Sequence, residues 1–64
     1  MNNLKEYRIK QNLSQEEMAD KLGLTQGAIA QWELGITSPP TKKIAQVAEL
    51  YGCTIEELIE ALTK

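Results

Sequence analysis

The sequence has no histidine, a single cysteine and no apolar run long enough to cross a membrane. Each shortage excludes a class of function. Without His, and without clustered Cys, the nitrogen and thiolate ligands of a transition metal are missing, and no cofactor is expected. Cys53 is the only thiol, so no internal disulfide can form. With no secretory segment visible, the expected compartment is a reducing cytoplasm rather than a membrane or the cell exterior. An enzyme is disfavoured too. There is no nucleophile–base constellation and no phosphate-cradling glycine loop, and the chain is too small for a substrate pocket.

What remains is an ordinary globular composition, 42% hydrophobic and 25% charged over 64 residues. That length predicts one domain, residues 1–64, with no room for a second, ligand-sensing one. A chain this short buries only about 60% of its unfolded surface, so its core is small. The net charge of −2 is unevenly spread. Residues 1–43 carry six Lys/Arg against five Asp/Glu, whereas residues 44–64 carry one Lys against four Glu. The slightly positive part is the amino-terminal one.

The most informative stretch is QEEMADKLGLTQGAIAQW, from Gln15 to Trp32. It reads as two short amphipathic helices split by Gly23 and restarted by Thr25. Met18, Ala19, Leu22, Leu24, Ile29 and Trp32 fall where two crossing helices meet, leaving Gln26 and Gln31 outside. A small polar helix on a supporting helix is a shape that enters a DNA major groove.

Punctuation along the rest predicts five helices and no strands. The first runs from about Asn3 to Gln11, with Leu4 and Tyr7 inward and Asn12 at a left-handed C-terminal position. Ser14 caps the second, with Glu17 completing a capping box. Thr25 caps the third, which Gly35 stops. The segment Gly35-Ile-Thr-Ser-Pro-Pro40 is irregular and stiffened by its prolines. Thr41 is the expected cap of a fourth helix over Lys42 to Tyr51. Thr54 and Glu57 box a fifth, Ile55 to Leu62. Ile44, Val47, Ala48, Tyr51, Ile55, Leu58 and Leu62 complete the expected core. Trp32 continues the Ile29 face and is assigned to that core rather than to base stacking. Cys53 is assigned to a small apolar slot rather than to redox chemistry.

From Leu4 to Ile59 the chain resembles the Cro/C1-type, XRE-like helix-turn-helix DNA-binding domains, which include phage repressors. The match is a spaced pattern: Leu13-Ser-Gln-Glu-Glu-Met-Ala19, Leu22-Gly-Leu-Thr25, Ile29, Gln31-Trp-Glu33, Gly35, Pro39, Ala48 and Leu58. The resemblance implies an all-α, compact five-helix bundle with no cofactor. It implies base contacts from Gln26, Gly27 and Gln31 on helix three. Backbone contacts are implied for Gln15 and Thr25, for the loop as far as Ser38, and for the start of helix four at Lys42 and Lys43. It also implies an ion pair between Arg8 and Glu33, with the arginine near a phosphate.

The chemistry at each position is definite. A glutamine amide can pair in bidentate fashion with adenine N6 and N7; the other reading of Gln26 and Gln31 is solvated surface. Gly27 either admits close approach of DNA or makes no side-chain contact. Gln15, its amide free, sits at a helix N-terminus that favours phosphate. Leu34 and Ile36 are apolar where family members often carry basic or amide residues. With Arg8, Lys10, Lys42 and Lys43 as the cations, each protomer is expected to neutralise about two to four phosphates.

These readings converge on a sequence-specific regulator of transcription, a repressor, that binds double-stranded DNA as a homodimer. Two recognition helices would read a pseudo-palindrome with half-site centres about 34 Å apart. Leu34, Ile36 and Ile59 are the expected dimer patch. Two alternatives stay open: a protein-binding module that kept the fold, and an antitoxin that binds DNA and a protein partner such as a toxin.

Overall fold

The boundaries of the five helices are written in short polar signals, and the computed structural model, which describes residues 3–63, follows most of them. The helices are α1 (Leu4–Lys10), α2 (Gln15–Leu22), α3 (Gln26–Leu34), α4 (Ile44–Tyr51) and α5 (Ile55–Thr63), with one 3-10 turn at Thr41–Lys43. Among the described residues there is no strand.

The Ser14 hydroxyl accepts from the Glu17 N–H at 3.0 Å, and the Glu17 carboxylate accepts from the Ser14 N–H at 3.0 Å. Both halves of the expected box are therefore present, and orphan amides of α2 are satisfied locally. Thr54 and Glu57 repeat the arrangement at 2.9 and 3.0 Å before α5. Thr25 accepts from the Ala28 N–H at 3.3 Å and starts α3. Between α2 and α3, Gly23 takes φ +69, and the Leu24 N–H reaches back to the Ala19 carbonyl at 2.9 Å. That closure lets the chain turn within three residues. Asn12 adopts φ +58, the left-handed conformation expected of it.

Two expectations need correction. Thr41 caps nothing: no side-chain cap bond opens the 3-10 turn or α4, and the α-helix begins at Ile44 rather than Lys42. Pro39 and Pro40 hold the preceding chain extended, and the first turn is instead closed by the Lys43 N–H on the Pro40 carbonyl at 2.9 Å. Ile55, expected inside, is 45% exposed. It opens α5, beyond the reach of the core packed under the following turns.

The core takes at least one fully buried side chain from each helix: Leu4, Met18, Ile29, Val47 with Tyr51, and Leu58. Ala19, Ala48 and Ala61 are also buried, small residues where the elements pack closely; Ala61 is the one that periodicity did not single out. Tyr7, Leu13, Leu24, Ile44, Leu50, Cys53 and Leu62 pack around this cluster, each half-buried. Burial, reinforced by the Glu57 charge, pushes the Cys53 thiol up, opposite to the shift of a reactive cysteine.

Trp32 lies buried beside Ile29 and Leu22 in this cluster. Trp32→Ala is expected to cost about 3–5 kcal/mol, a large share of the stability available to a small domain. Urea unfolding followed by circular dichroism measures it; an unchanged midpoint would place the indole outside the core.

Candidate nucleic-acid interface

Helix α3 separates its residues by face. At about 100° per residue, Gln26, Ala30, Leu34, Gly27 and Gln31 span an arc of about 140°. Ile29 and Trp32 fall on the opposite side and Glu33 at the margin next to Gln26; all three are buried. Gln26, Gly27, Gln31 and Leu34 are exposed and Ala30 is half-buried. The outward face is thus two amides flanking a low surface of Gly, Ala and Leu. Such a face can approach a base edge closely, offering hydrogen bonds at its margins and methyl contacts between them.

The amides are not independent. Gln26 Nε2 donates to Gln15 Oε1 at 2.9 Å, and Gln15 Nε2 donates to Glu33 Oε1 at 3.1 Å. Glu33 is gripped from the other side as well. Arg8 Nε donates to its Oε2 at 2.7 Å, Arg8 Nη2 to its Oε1 at 3.0 Å, and the Tyr51 hydroxyl to Oε2 at 2.9 Å. Arg8 Nη1 donates to the Leu13 carbonyl at 2.8 Å. Arg8 and Glu33 are only 7% and 6% exposed. The ion pair that the family resemblance implied is present, bidentate and buried. Burial pulls the Glu33 carboxyl upward, but the hydrogen bonds from Arg8, Gln15 and Tyr51 outweigh it and hold the group below the usual carboxylate value. Tyr51 is shifted up, by burial first and then by the adjacent Glu33 charge.

The other expected contact residues divide. Thr25 and Ser38 are exposed, with the Thr25 hydroxyl already accepting from Ala28. Lys42 is exposed. Lys43 is half-buried, and its ammonium donates to the Leu22 carbonyl at 3.2 Å, closing the C-terminal end of α2. Gln15 was expected to hold its amide free; both ends of that amide are instead engaged, because α3 brings Glu33 and Gln26 against it. Gln31 Oε1 lies 3.5 Å from the Thr37 hydroxyl, a long contact that leaves the amide largely uncommitted. Leu34 and Ile36 are 58% and 67% exposed.

A family model described as helix-turn-helix matches residues 4–58. The chain belongs to the helix-turn-helix family of transcriptional regulators. It is 39% identical over 57 residues to an uncharacterized HTH-type transcriptional regulator of Methanocaldococcus jannaschii, covering 89% of this chain and 86% of that protein. It is 34% identical over 58 residues to the uncharacterized HTH-type transcriptional regulator YqaE of Bacillus subtilis, covering 91% of this chain and 50% of that protein. It is 30% identical over 56 residues to the cryptic phage CTXphi transcriptional repressor RstR of Vibrio cholerae, covering 88% and 50%. The chain therefore spans about half the length of the last two relatives. No solved structure matches it significantly.

Within this helix-turn-helix domain, sequence reasoning missed the Tyr51 hydroxyl, which it had assigned to the core as a ring alone. A buried tyrosine normally needs a partner for its O–H, and that rule was the available signal.

Two expected outcomes follow from this geometry. A Cβ at Gly27 would meet nothing closer than the Thr25 hydroxyl at 3.9 Å. The fold has no need of a glycine there, so Gly27→Ala should stabilise the free domain by some tenths of a kcal/mol, up to ~1; a lowered urea midpoint would contradict this. Glu33, Glu17 and Glu57 all titrate below the ordinary glutamate value of 4.5 in the folded state. Each therefore contributes stability that is present above pH 4.5 and is lost as the pH falls through the lowered native values. Thermal unfolding should be nearly flat from pH 7 to 5.5 and drop steeply below about pH 4.5. A Tm that rises on acidification would refute this assignment.

Proposed function

We propose that the protein is a sequence-specific repressor of transcription that binds duplex DNA as a homodimer, with α3 in the major groove. The observation that carries this reading is the outward face of α3, where Gln26 is held in place by a chain of hydrogen bonds running back to a buried ion pair. Gln26 and Gln31 are the base-reading side chains, Gly27 and Ala30 allow the close approach between them, and Gln15, Thr25, Ser38 and Lys42 line the route of the phosphate backbone. A single α3 reads too few base pairs for useful specificity, so two domains act on a pseudo-palindrome. Exposed Leu34, Ile36 and Ile59 supply apolar surface for that contact.

Charge argues for weak electrostatic dependence. Arg8 is buried in its ion pair and Lys43 is bound to Leu22, so Lys10 and Lys42 are the principal cations left of the four expected. Neutralising about two phosphates per protomer gives a dimer log–log salt slope of about −4, at the shallow end of the expected range. The same apolar loop also fits a protein partner such as a toxin, which would make the domain an antitoxin.

Selection from a random duplex pool at low salt, followed by gel-shift titration, tests the reading. Gln26→Ala and Gln31→Ala should each weaken specific binding by about 1–3 kcal/mol and relax preference at one position, with the circular dichroism unchanged. Wild-type affinity in both variants would refute the groove assignment. A two-half-site duplex should bind more tightly per site than a single half-site; equal affinity would refute the coupled dimer. A salt slope near zero would favour the protein-partner reading.

A further inference from the structure

We propose that Glu33, although buried away from any groove, sets the hydrogen-bond direction of the Gln15–Gln26 amide pair and so decides which base Gln26 accepts. The inference rests on the placement of α3 in the major groove.

An amide pair has two ways to face itself. Gln26 can give an N–H to the Gln15 carbonyl, as it does here at 2.9 Å, or accept an N–H from Gln15 through its own carbonyl. Turning both amides over preserves the bond, so nothing within the pair selects one direction. Glu33 breaks this degeneracy. An ionised carboxylate only accepts, so Gln15 must turn its Nε2 toward Glu33 Oε1, the 3.1 Å contact. The Gln15 carbonyl is thereby aimed at Gln26, which must answer with its own N–H.

The carboxylate is itself held in place. Arg8 binds both of its oxygens and Tyr51 donates to Oε2. Arg8 stays charged and keeps Glu33 ionised at neutral pH.

The consequence appears at the exposed end. With one N–H used inward, Gln26 keeps its carbonyl oxygen and its second N–H for the groove. That donor–acceptor pair complements adenine, which presents N7 as acceptor and N6–H as donor. In the reversed arrangement the carbonyl would be used inward and only N–H donors would face out. That set fits guanine, whose N7 and O6 both accept. Glu33 is thus a positioning residue for base choice, acting through Gln15.

The test uses an operator chosen by the wild-type protein from a randomised duplex pool. The base pair whose preference disappears in Gln26→Ala is the one Gln26 reads. Wild type should favour adenine over guanine there, on the order of tenfold or more. Glu33→Gln replaces the acceptor-only group with one that can also donate, and should reduce the ratio severalfold while the preference at the position read by Gln31 persists. Loss of the Arg8 partner can unfold that variant, so Gln15→Lys is measured beside it. This substitution lies on the half-buried rim, keeps a donor for Glu33 and presents only donors to Gln26, and should turn the preference from adenine toward guanine. An unchanged adenine preference in Gln15→Lys, or in a folded Glu33→Gln, would overturn the inference while leaving DNA reading by α3 intact. A wild type that selects no sequence would overturn both.

Discussion

Two opposite charges lie inside this small protein, and the way they are satisfied constrains much of the rest. The Glu33 carboxylate takes four hydrogen bonds, from Arg8 twice, from Gln15 and from Tyr51. Through those bonds one side chain of α3 touches α1, α2 and α4. Arg8 adds the Leu13 carbonyl, in the loop between α1 and α2. Removing charges from water is expensive, and a buried pair often adds little net stability over an apolar packing of the same shape. Its effect is better described as orientation: few arrangements of four elements satisfy all these donors and acceptors at once, and those that fail leave a buried charge exposed to a large penalty.

That constraint extends to the surface. Gln15 stands between the buried pair and Gln26, so an exposed amide is held by groups that solvent hardly reaches. A side chain held in this way has less rotamer freedom to lose on binding any ligand, and its donors and acceptors face one way. The neighbouring face is kept low by Gly27 and Ala30. Gly27 is a local weakness, since alanine would fit and would favour the helix.

Much of the fold was legible from neighbouring residues. Ser14 with Glu17, Thr25, Thr54 with Glu57, Asn12 and the glycines at 23 and 35 act on backbone groups within a few positions of themselves, so their meaning survives without tertiary information. The alternation of apolar positions placed Met18, Ile29, Trp32, Val47 and Leu58 in the core for the same reason. Periodicity erred at Ile55, because a helical pattern gives the direction of a face but not how far along the helix the core extends.

The partners of polar side chains were another matter. The Arg8–Glu33 pair was anticipated only through family resemblance, since nothing across a separation of 25 positions points one residue at the other. The binding of Gln15 between Glu33 and Gln26, the Tyr51 hydroxyl on the same carboxylate and the Lys43 ammonium on the end of α2 are all contacts across 11 to 21 positions. By itself the sequence determined where most helices start and stop, the start of α4 excepted, which faces turn inward for most of their length and which two amides turn outward. Only the tertiary structure decided what those amides bond to and in which direction. A cap is settled by the chain's own backbone, whereas an amide takes its orientation from whichever distant donor or acceptor the packed helices bring within three ångströms or so.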